Sequence, residues 1–434
     1  MPEAFTNDAV RGLDELVFHS WSKQGAATPF VIAGGQGTRV WDHAGREWLD
    51  FSSQLVNTNI GHQHPKVIEA IKRQADILTT VAPSTANDVR GVAAQKILEK
   101  AGDYRSVFFT NGGADAIENA IRLARLHTGR DTVLSHYRSY HGNTGAAIVA
   151  TGDWRRVPNQ FARGHAHFFG PYLYRSEFWA ETPEQECERA LHHLRRVIES
   201  EGPESIAAIL VEAIPGTAGV IVPPPGYLAG VKTLAAQHGI LLIIDEVMAG
   251  FGRAGEWFAH QAHEVQPDLI TFAKGVNSGY VPLGGVVISE EVHETFTERV
   301  FPGGLTYSGH PLACASAVAS ITAIEDEAII ENARSIGREV LAPGLTALAE
   351  RHPAIGEVRG TGVFWALELV ADRETREPLP AEATAAVKSA MLSRGLLPFV
   401  ADNRIHVVPP CTVSPDEART ALSIYDESLE EVLS

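Results

Sequence analysis

The stretch DLITFAKG, residues 268–275, is a short apolar run that ends in a lysine, Lys274. Apart from Thr271, residues 269–273 are apolar, which is typical of a short buried strand. A lysine withdrawn from water at the mouth of such a strand has a lowered pKa, and its neutral amine can attack a carbonyl group. Because a single loop lysine is more often a solvated surface residue, the interpretation of Lys274 depends on the neighbouring motifs.

A second apolar run, ILLII at residues 240–244, ends in Asp245. Ligands of open α/β sheets bind at the carboxyl ends of the strands, so we expect Asp245 and Lys274 to lie close together. An isolated aspartate in this position would more often cap a helix or form a surface ion pair. An acid and a lysine at the ends of two strands of one sheet favour a binding site instead.

The stretch FFTNGGA, residues 108–114, is typical of a strand, a glycine turn and the start of a helix. Paired glycines let the backbone approach a ligand closely, and the free N–H groups of a helix start attract phosphate. The stretch matches neither GxGxxG nor the Walker pattern, so it does not favour a dinucleotide or ATP site. Taken alone it would be an ordinary turn. With Lys274 and Asp245 it indicates a phosphate-bearing cofactor.

Pyridoxal phosphate (PLP) needs these three features together. It requires a lysine for its aldehyde, a carboxylate for its pyridine nitrogen and a pocket for its phosphate. Its ring must also be held between two side chains, for which Tyr140 and Val247 are the candidates. The sequence therefore predicts PLP as the cofactor.

Length and composition exclude several other classes. At 434 residues, with 44% hydrophobic and 21% charged residues, the chain is expected to form two domains of an ordinary globular protein. The net charge of −17 argues against nucleic-acid and anionic-membrane partners. The cysteines, Cys187, Cys314 and Cys411, lack metal-ligand spacing and indicate reduced thiols in a cytoplasmic protein without a metal site. No stretch is long enough for a signal peptide or a membrane helix.

Strand-like and helical segments alternate along the chain, which predicts an α/β fold with a mostly parallel sheet. We expect residues 1–60 to form an N-terminal arm that joins the small domain, 61–310 the large domain with a seven-stranded sheet, and 311–434 a smaller α+β domain. Residues 31–32 and 39–41 are expected to be antiparallel strands, and residues 151–181 an irregular loop over the site. The expected strands of the large sheet are 107–110, 132–135, 147–150, 207–211, 240–244, 269–273 and 285–288.

The chain resembles the class III (ω-amino acid type) aminotransferases of the fold-type I PLP superfamily from about residue 41 to residue 410. Many motifs at family-like spacing carry this resemblance. In chain order they are LDFS 49–52, NIGH 59–62, NGGADA 111–116, SYHG 139–142, VE 211–212, DEV 245–247, GFGRAG 250–255, FAKG 272–275, TYSGHP 306–311 and VRGTG 358–362.

The resemblance implies a role for each matching cofactor residue. Lys274 would bond the cofactor as a Schiff base and then move a proton, and Asp245 would pair with the ring nitrogen. The other implied residues are Val247 and Tyr140 on the two ring faces, Glu212 near the ring, and Gly113 and Ala114 with their N–H groups on the phosphate.

The resemblance also implies a homodimer with shared active sites, and it leaves open whether dimers pair into tetramers. Thr306 would bind the phosphate of the neighbouring subunit, and Trp21 would lie over the substrate. This chain departs from the family pattern at three points, one of which, Met248-Ala249 in place of a more usual Gln-Thr pair, alters only packing near the ring. Ala114 stands where a serine hydroxyl is usual, and Thr217 stands where some relatives carry a glutamate that pairs with a carboxylate-binding arginine.

The residue that binds the substrate's acid group is less well defined by the sequence. Arg404 is the first candidate, because a guanidinium binds carboxylate or sulfonate through paired N–H groups. The alternative is an exposed charge at a strand end. Alternation puts His406 on the same face, where we expect an ordinary hydrogen-bonded histidine. Arg253 and Arg359 are expected to tie loops to backbone carbonyls.

The predicted activity is a ping-pong transamination. An ω-amino acid or terminal amine of the taurine, β-alanine or 4-aminobutyrate class would be the donor, and pyruvate or 2-oxoglutarate the acceptor. The same residues could serve an aminomutase or racemase, in which the amine never leaves. A scaffold protein without activity is the third hypothesis, against which the intact Lys274, Asp245 and Tyr140 argue.

Overall fold

The structure is a computed structural model that describes residues 5–26 and 29–433. Its fourteen strands are β1 (Gly34–Gln36), β2 (Arg39–Trp41), β3 (Glu47–Phe51), β4 (Ser106–Thr110), β5 (Thr132–His136), β6 (His165–Phe168), β7 (Ile206–Glu212), β8 (Leu241–Asp245), β9 (Leu269–Phe272), β10 (Gly284–Ile288), β11 (Ile355–Thr361), β12 (Phe364–Leu369), β13 (Leu396–Ala401) and β14 (Arg404–Val407).

The α-helices lie mostly between these strands. They are α1 (Asn7–Asp14), α2 (Ser53–Val56), α3 (Pro65–Ile77), α4 (Asp88–Ala101), α5 (Gly113–Thr128), α6 (Gly145–Ala150), α7 (Pro183–Glu201), α8 (Tyr227–Gln237), α9 (Glu290–Glu294), α10 (Pro311–Asp326), α11 (Ile329–Ile336), α12 (Ala342–Arg351), α13 (Ala381–Ser393) and α14 (Pro415–Leu433). Across the described residues, no helix is long and apolar enough to span a membrane.

The large sheet confirms the α/β fold class. Its seven strands lie in the order β4-β10-β9-β8-β7-β5-β6, and only β10 runs antiparallel to its neighbours. All seven residues of β7 are buried, because helices cover both faces of the sheet. Ile209 and Val211 pack on the side of α7 and α8, and Ala208 and Leu210 on the side of α5.

The second sheet combines strands from the N-terminal and C-terminal parts of the chain. Its seven strands lie in the order β1-β2-β3-β13-β14-β12-β11, so the N-terminal strands complete a sheet whose other members follow residue 354. The predicted strand at 39–41 is confirmed as β2, which is antiparallel to β1 and β3. The predicted strand at 31–32 is wrong, since the first strand begins at Gly34, where the Trp41 ring packs on the glycine backbone. The domain boundaries at residues 60 and 310 stay predictions.

Two predictions for the large sheet are wrong, because one of its seven strands was predicted in the wrong segment. Residues 147–150 form the end of helix α6 instead of a strand, and the edge strand of the sheet is β6, inside the segment expected to be irregular. Alanine favours a helix, and the Glu118 carboxylate accepts hydrogen bonds from the backbone N–H groups of Ala146 and Ala147 at its start. This cap comes from α5, so local sequence could not reveal it.

Arg253 ties the two sheets and the N-terminal segment together from a fully buried position. Its guanidinium donates to the carbonyl oxygens of Val363 and Pro409 and to the side chains of Ser53 and Asn59. The expectation that Arg253 binds backbone carbonyls is therefore confirmed. Arg359 also donates to a carbonyl, that of Gly219, but it forms ion pairs with Glu357 and Glu368 as well.

We expect Arg253→Met to lower the free energy of unfolding by about 3 kcal/mol, because several buried acceptors would lose their donor at once. Urea denaturation followed by circular dichroism measures this change. Arg338→Met is the control, since the Arg338 side chain is 79% exposed and its loss should cost less than about 0.5 kcal/mol. Equal stability of the two variants would contradict a structural role for Arg253.

Candidate active site

Three neighbouring strands bring the central residues of the site together. In the parallel register of the sheet, Glu212 at the end of β7 lies beside Asp245 at the end of β8, and Asp245 lies beside Thr271 in β9. Lys274 lies two residues after the end of β9 and begins a short 3-10 turn, Lys274–Val276. The expected proximity of Asp245 and Lys274 is confirmed, and Glu212 joins them.

The Lys274 backbone and side chain are both constrained. Its φ of +46° lies in the left-handed region, which a non-glycine residue adopts only when its surroundings demand it. Burial lowers the pKa of the amine, while the nearby charges of Asp245 and Glu212 oppose the shift. Among the residues that the structure describes, none forms an ion pair or hydrogen bond with the Lys274 amine. The amine is therefore available for reaction with a carbonyl group.

Asp245 is held by two hydrogen bonds. Its Oδ1 accepts from the backbone N–H of Val247 at 3.0 Å, and its Oδ2 lies 2.8 Å from Nδ1 of His141. An ionised carboxylate can only accept, which assigns the shared proton to Nδ1 of His141. This histidine is buried, and within the described part of the chain its Nε2 has no partner. The imidazole therefore orients Asp245.

Glu212 is a buried carboxyl group with a strongly shifted pKa. Burial raises the pKa to about 7, and the neighbouring Asp245 charge acts in the same direction. Its two oxygens accept hydrogen bonds from the backbone N–H groups of Tyr140, at 3.0 Å, and Gly216, at 2.8 Å. Glu212 therefore fixes the loop that carries Tyr140 and His141 against the strand ends.

The start of α5, at residues 112–114, lies where the sequence predicts the phosphate-binding turn, and we call it the cradle. Gly112 is the N-cap of this helix, and the first helical residues are Gly113 and Ala114. A Cβ on Gly113 would lie 2.9 Å from the Val247 side chain, and a Cβ on Gly142 would lie 2.6 Å from Cβ of Ala114. Both glycines are thus needed for the close packing around the free N–H groups of the helix start.

An aromatic wall adjoins these residues. The Trp21 and Tyr140 rings meet edge to face with centroids 6.4 Å apart. The guanidinium of Arg155 lies 3.9 Å from the centroid of the Tyr140 ring, and Asp153 holds it by an ion pair. The sequence analysis proposed Tyr140 as a ring neighbour from its position, and Trp21 as a substrate neighbour only from the family resemblance. It gave no indication of Arg155, which lies in the segment expected to be irregular.

The wall borders a cavity of about 700 Å³. Its lining includes Thr217 and Arg404, so the structure brings both of these predicted residues to the same space as Trp21. Its other charged residues are Arg138, Asp153, Arg155, Arg175, Glu368 and Asp402. His406 lies on the same strand as Arg404 but is buried, with Nε2 3.1 Å from the carbonyl oxygen of Gly216, and burial lowers its pKa to about 3.

Within the described part of a single chain, Thr306 does not contact the start of α5. It is exposed, and within the described residues it has no hydrogen bond to Gly113 or Ala114. Its assignment to a neighbouring subunit stays a prediction. His141 was missed as a site residue, although it belongs to the SYHG motif. Its contact with Asp245 depends on the register of β5 and β8, which are separated by β7.

The residues fit PLP on three structural grounds. A reactive amine, an oriented carboxylate and a helix start that is free of side-chain obstruction lie at one edge of one sheet. The lowered pKa of Lys274 suits a group that must react with an aldehyde.

Gly142→Ala should weaken PLP binding at least about tenfold, because the new Cβ would push Ala114 out of the cradle and φ is +131° at this position. Titration of the apoprotein with PLP, followed by absorbance, measures the affinity. The control is Gly145→Ala, whose Cβ would have its nearest neighbour 3.9 Å away. Similar losses of affinity in both variants would contradict the proposed packing.

A stability experiment tests the raised pKa of Glu212. The folded state binds this proton more tightly than the unfolded chain does, so the associated stability is full below about pH 4.5 and is lost as the pH rises through about 7. Glu212→Gln removes this dependence. The Tm of the apo variant minus that of the wild type should therefore become more positive from about pH 5 to about pH 8. A constant difference would contradict the shift.

Comparison with known proteins places this site in a family. Residues 21–429 match the family model of the class III aminotransferases. The hypotaurine/taurine–pyruvate aminotransferase of Paracoccus denitrificans is 35% identical over 85% of this chain and 83% of the relative. The 4-aminobutyrate aminotransferase of Escherichia coli is 32% identical over 94% of this chain and 95% of the relative.

A solved structure agrees over nearly the whole chain. It is the taurine:2-oxoglutarate aminotransferase of Bifidobacterium kashiwanohense in complex with PLP and glutamate, which is 41% identical, covers 99% of both chains and superposes with a TM-score of 0.96. With the strand-end lysine, the oriented aspartate and the cradle, these matches establish the resemblance seen in the sequence. The chain belongs to the class III aminotransferases and is a PLP-dependent enzyme that moves an amino group from an amine donor to an oxo acid.

Proposed function

We propose that the donor is a short ω-amino acid of the taurine, β-alanine or 4-aminobutyrate class, and the acceptor pyruvate or 2-oxoglutarate. The observation that carries this proposal is the cavity beside Tyr140, into which Arg404 brings a guanidinium. A sulfonate or carboxylate binds such a group through paired N–H bonds. The names of the relatives, which include taurine and 4-aminobutyrate aminotransferases, support the same class of donor.

We assign the cofactor residues as the resemblance suggested. The backbone N–H groups of Gly113 and Ala114 would bind the phosphate, and the side chains of Val247 and Tyr140 would lie on the two faces of the ring. Asp245, oriented by His141, would keep the ring nitrogen protonated. Bound PLP supplies the electron sink for the negative charge that develops when the substrate carbon loses its proton.

The remaining roles concern proton movement and the substrate. The neutral amine of Lys274 would take the proton from the amine-bearing carbon of the donor and deliver it to the former aldehyde carbon of the cofactor, as its lowered pKa allows. The amino group would then stay on the cofactor and the donor would leave as an oxo product. Trp21 covers the substrate and limits access of water. Arg404 binds the acid group of the donor and, in the second half of the cycle, that of the acceptor.

We also propose a homodimer, in a cytoplasmic setting, built from a large domain (61–310) and a small domain (1–60 with 311–434). The exposed Thr306 is followed by Tyr307, also exposed, and Val300 of the same loop is 84% exposed. Such apolar side chains suit an interface with a second copy, in which Thr306 would reach the partner's cradle. Light scattering should then give twice the chain mass of 46.8 kDa.

A half-reaction without acceptor tests the function. Taurine and β-alanine should each release close to one equivalent of aldehyde product per cofactor, and pyruvate or 2-oxoglutarate should then restore turnover. Propylamine is the matched control, since it has the chain length of β-alanine without the acid group, and it should react at least about tenfold more slowly. Lys274→Ala should abolish product release.

Two other outcomes would change the conclusion. Release of product from propylamine at the rate of β-alanine would contradict recognition of an acid group. If no donor released an oxo or aldehyde product and an isomer of the amino acid accumulated instead, the enzyme would be an aminomutase or racemase.

A further inference from the structure

The tip of one hairpin forms part of the cavity wall. Strands β13 and β14 are joined by Asp402 and Asn403, and both residues line the cavity together with Arg404. Asp402 has a φ of +52°, in the left-handed region that aspartate and asparagine tolerate better than most residues. This conformation turns the chain so that the Asp402 carboxylate reaches Arg404.

The Arg404 guanidinium is only partly satisfied inside the protein. Its Nη2 pairs with Oδ2 of Asp402 at 2.5 Å, and its buried Nε has no hydrogen-bond partner within the described part of the chain. Glu368 lies opposite Arg404 in the β12–β14 register. Its oxygens are already engaged by three donors, which are Tyr172, Arg175 and Arg359. Thr217, on the same cavity, offers no charge.

The ion pair of Arg404 is the most exposed one among the arginines of this cavity. The exposed fraction of the acidic partner is 73% for Asp402 on Arg404, 37% for Glu177 on Arg138, 26% for Asp153 on Arg155 and 3% for Glu368 on Arg175. An exposed pair contributes little stability, because water and salt screen the attraction and two mobile side chains must be ordered. An acid group that enters the cavity can therefore displace Asp402 more easily than any of the other three partners.

We propose that Asp402 is an internal counterion that competes with the substrate's acid group for Arg404. This inference rests on the proposed function, because it assumes that Arg404 binds acid-bearing substrates. With an acid-bearing donor or acceptor, the oxyanion replaces the Asp402 carboxylate on the guanidinium. With an amine that lacks an acid group, the Arg404–Asp402 pair stays closed and the cavity presents no free cation.

Some relatives carry a glutamate at the position of Thr217, and that glutamate pairs with a carboxylate-binding arginine. In this chain Asp402 would provide the carboxylate that Thr217 lacks. The competing carboxylate comes from the residue pair at the hairpin tip, two positions before the arginine. The expected consequence is selectivity. The affinity for acid-bearing substrates is set by a competition, and removal of the competitor should tighten their binding.

Binding of unreactive acids to the PLP-loaded enzyme tests the proposal. Glutarate and ethanesulfonate resemble an acceptor and a donor but carry no reactive carbonyl or amine. Isothermal titration would give their Kd for the wild type, Asp402→Asn, Arg404→Gln and the double variant. Asparagine keeps the size and tolerates the left-handed backbone of residue 402. We expect Asp402→Asn to bind both acids about two- to fivefold more tightly.

The double variant shows whether the effect acts through Arg404. In the Arg404→Gln background, Asp402→Asn should leave the Kd unchanged. Asp103→Asn is the control for net charge. Asp103 is exposed and precedes β4, so it lies at the amino ends of the strands, away from the site at their carboxyl ends. An unchanged or weaker affinity in Asp402→Asn would overturn the proposal. So would an equal gain in the Arg404→Gln background or in Asp103→Asn, since either would be a general charge effect.

Turnover of β-alanine by the same preparations tests the proposed transaminase function separately from the competition between Asp402 and the substrate. If the wild type turns over β-alanine but the effect of Asp402→Asn on acid binding does not depend on Arg404, only the proposed role of Asp402 is overturned. Coupling in the binding data without turnover of any acid-bearing donor would overturn the proposed function instead.

Discussion

The site depends on the parallel alignment of β7, β8 and β9, which sets two carboxyl groups side by side at the edge of a buried sheet. Glu212 and Asp245 are register partners, so neither can move away from the other without breaking the ladder. Burial of two like charges is unfavourable unless each group is hydrogen-bonded or protonated. The backbone N–H groups at Tyr140 and Gly216, and the imidazole of His141, meet this requirement.

This constraint also organises the loops around the site. The residues that donate hydrogen bonds to Glu212 and Asp245 belong to the loop after β5 and the turn after β7. These hydrogen bonds hold both segments at the ends of the strands. Tyr140 is thereby placed against Trp21 and Arg155, and the cavity opens beside them. Lys274 lies next to the pair on the third strand, where burial keeps its amine from holding a proton as firmly as an exposed lysine does.

Particular residues show how far the sequence could predict the site. Asp245 follows an uninterrupted apolar run and Lys274 a mostly apolar one, and such runs predict buried strands whose carboxyl ends meet. The glycine turn before α5 was recognisable for a similar reason, because glycine pairs before a helix serve a local backbone need. His141 and Arg155 were missed because their contacts cross between elements that are distant in the sequence. Helix α6 was missed because its cap, Glu118, lies on another helix.

The sequence by itself determined the α/β class, the cofactor and the family, since these follow from apolar periodicity, local turn chemistry and ordered motifs. Only the tertiary structure decided which charges face one another. The pairing of Arg404 with Asp402 depends on the left-handed backbone at the hairpin tip, and the engagement of Glu368 by three other donors depends on strand register and on loops packed against the sheet. Electrostatic interactions vary with distance and burial, and neither quantity is encoded by the spacing of residues along a chain.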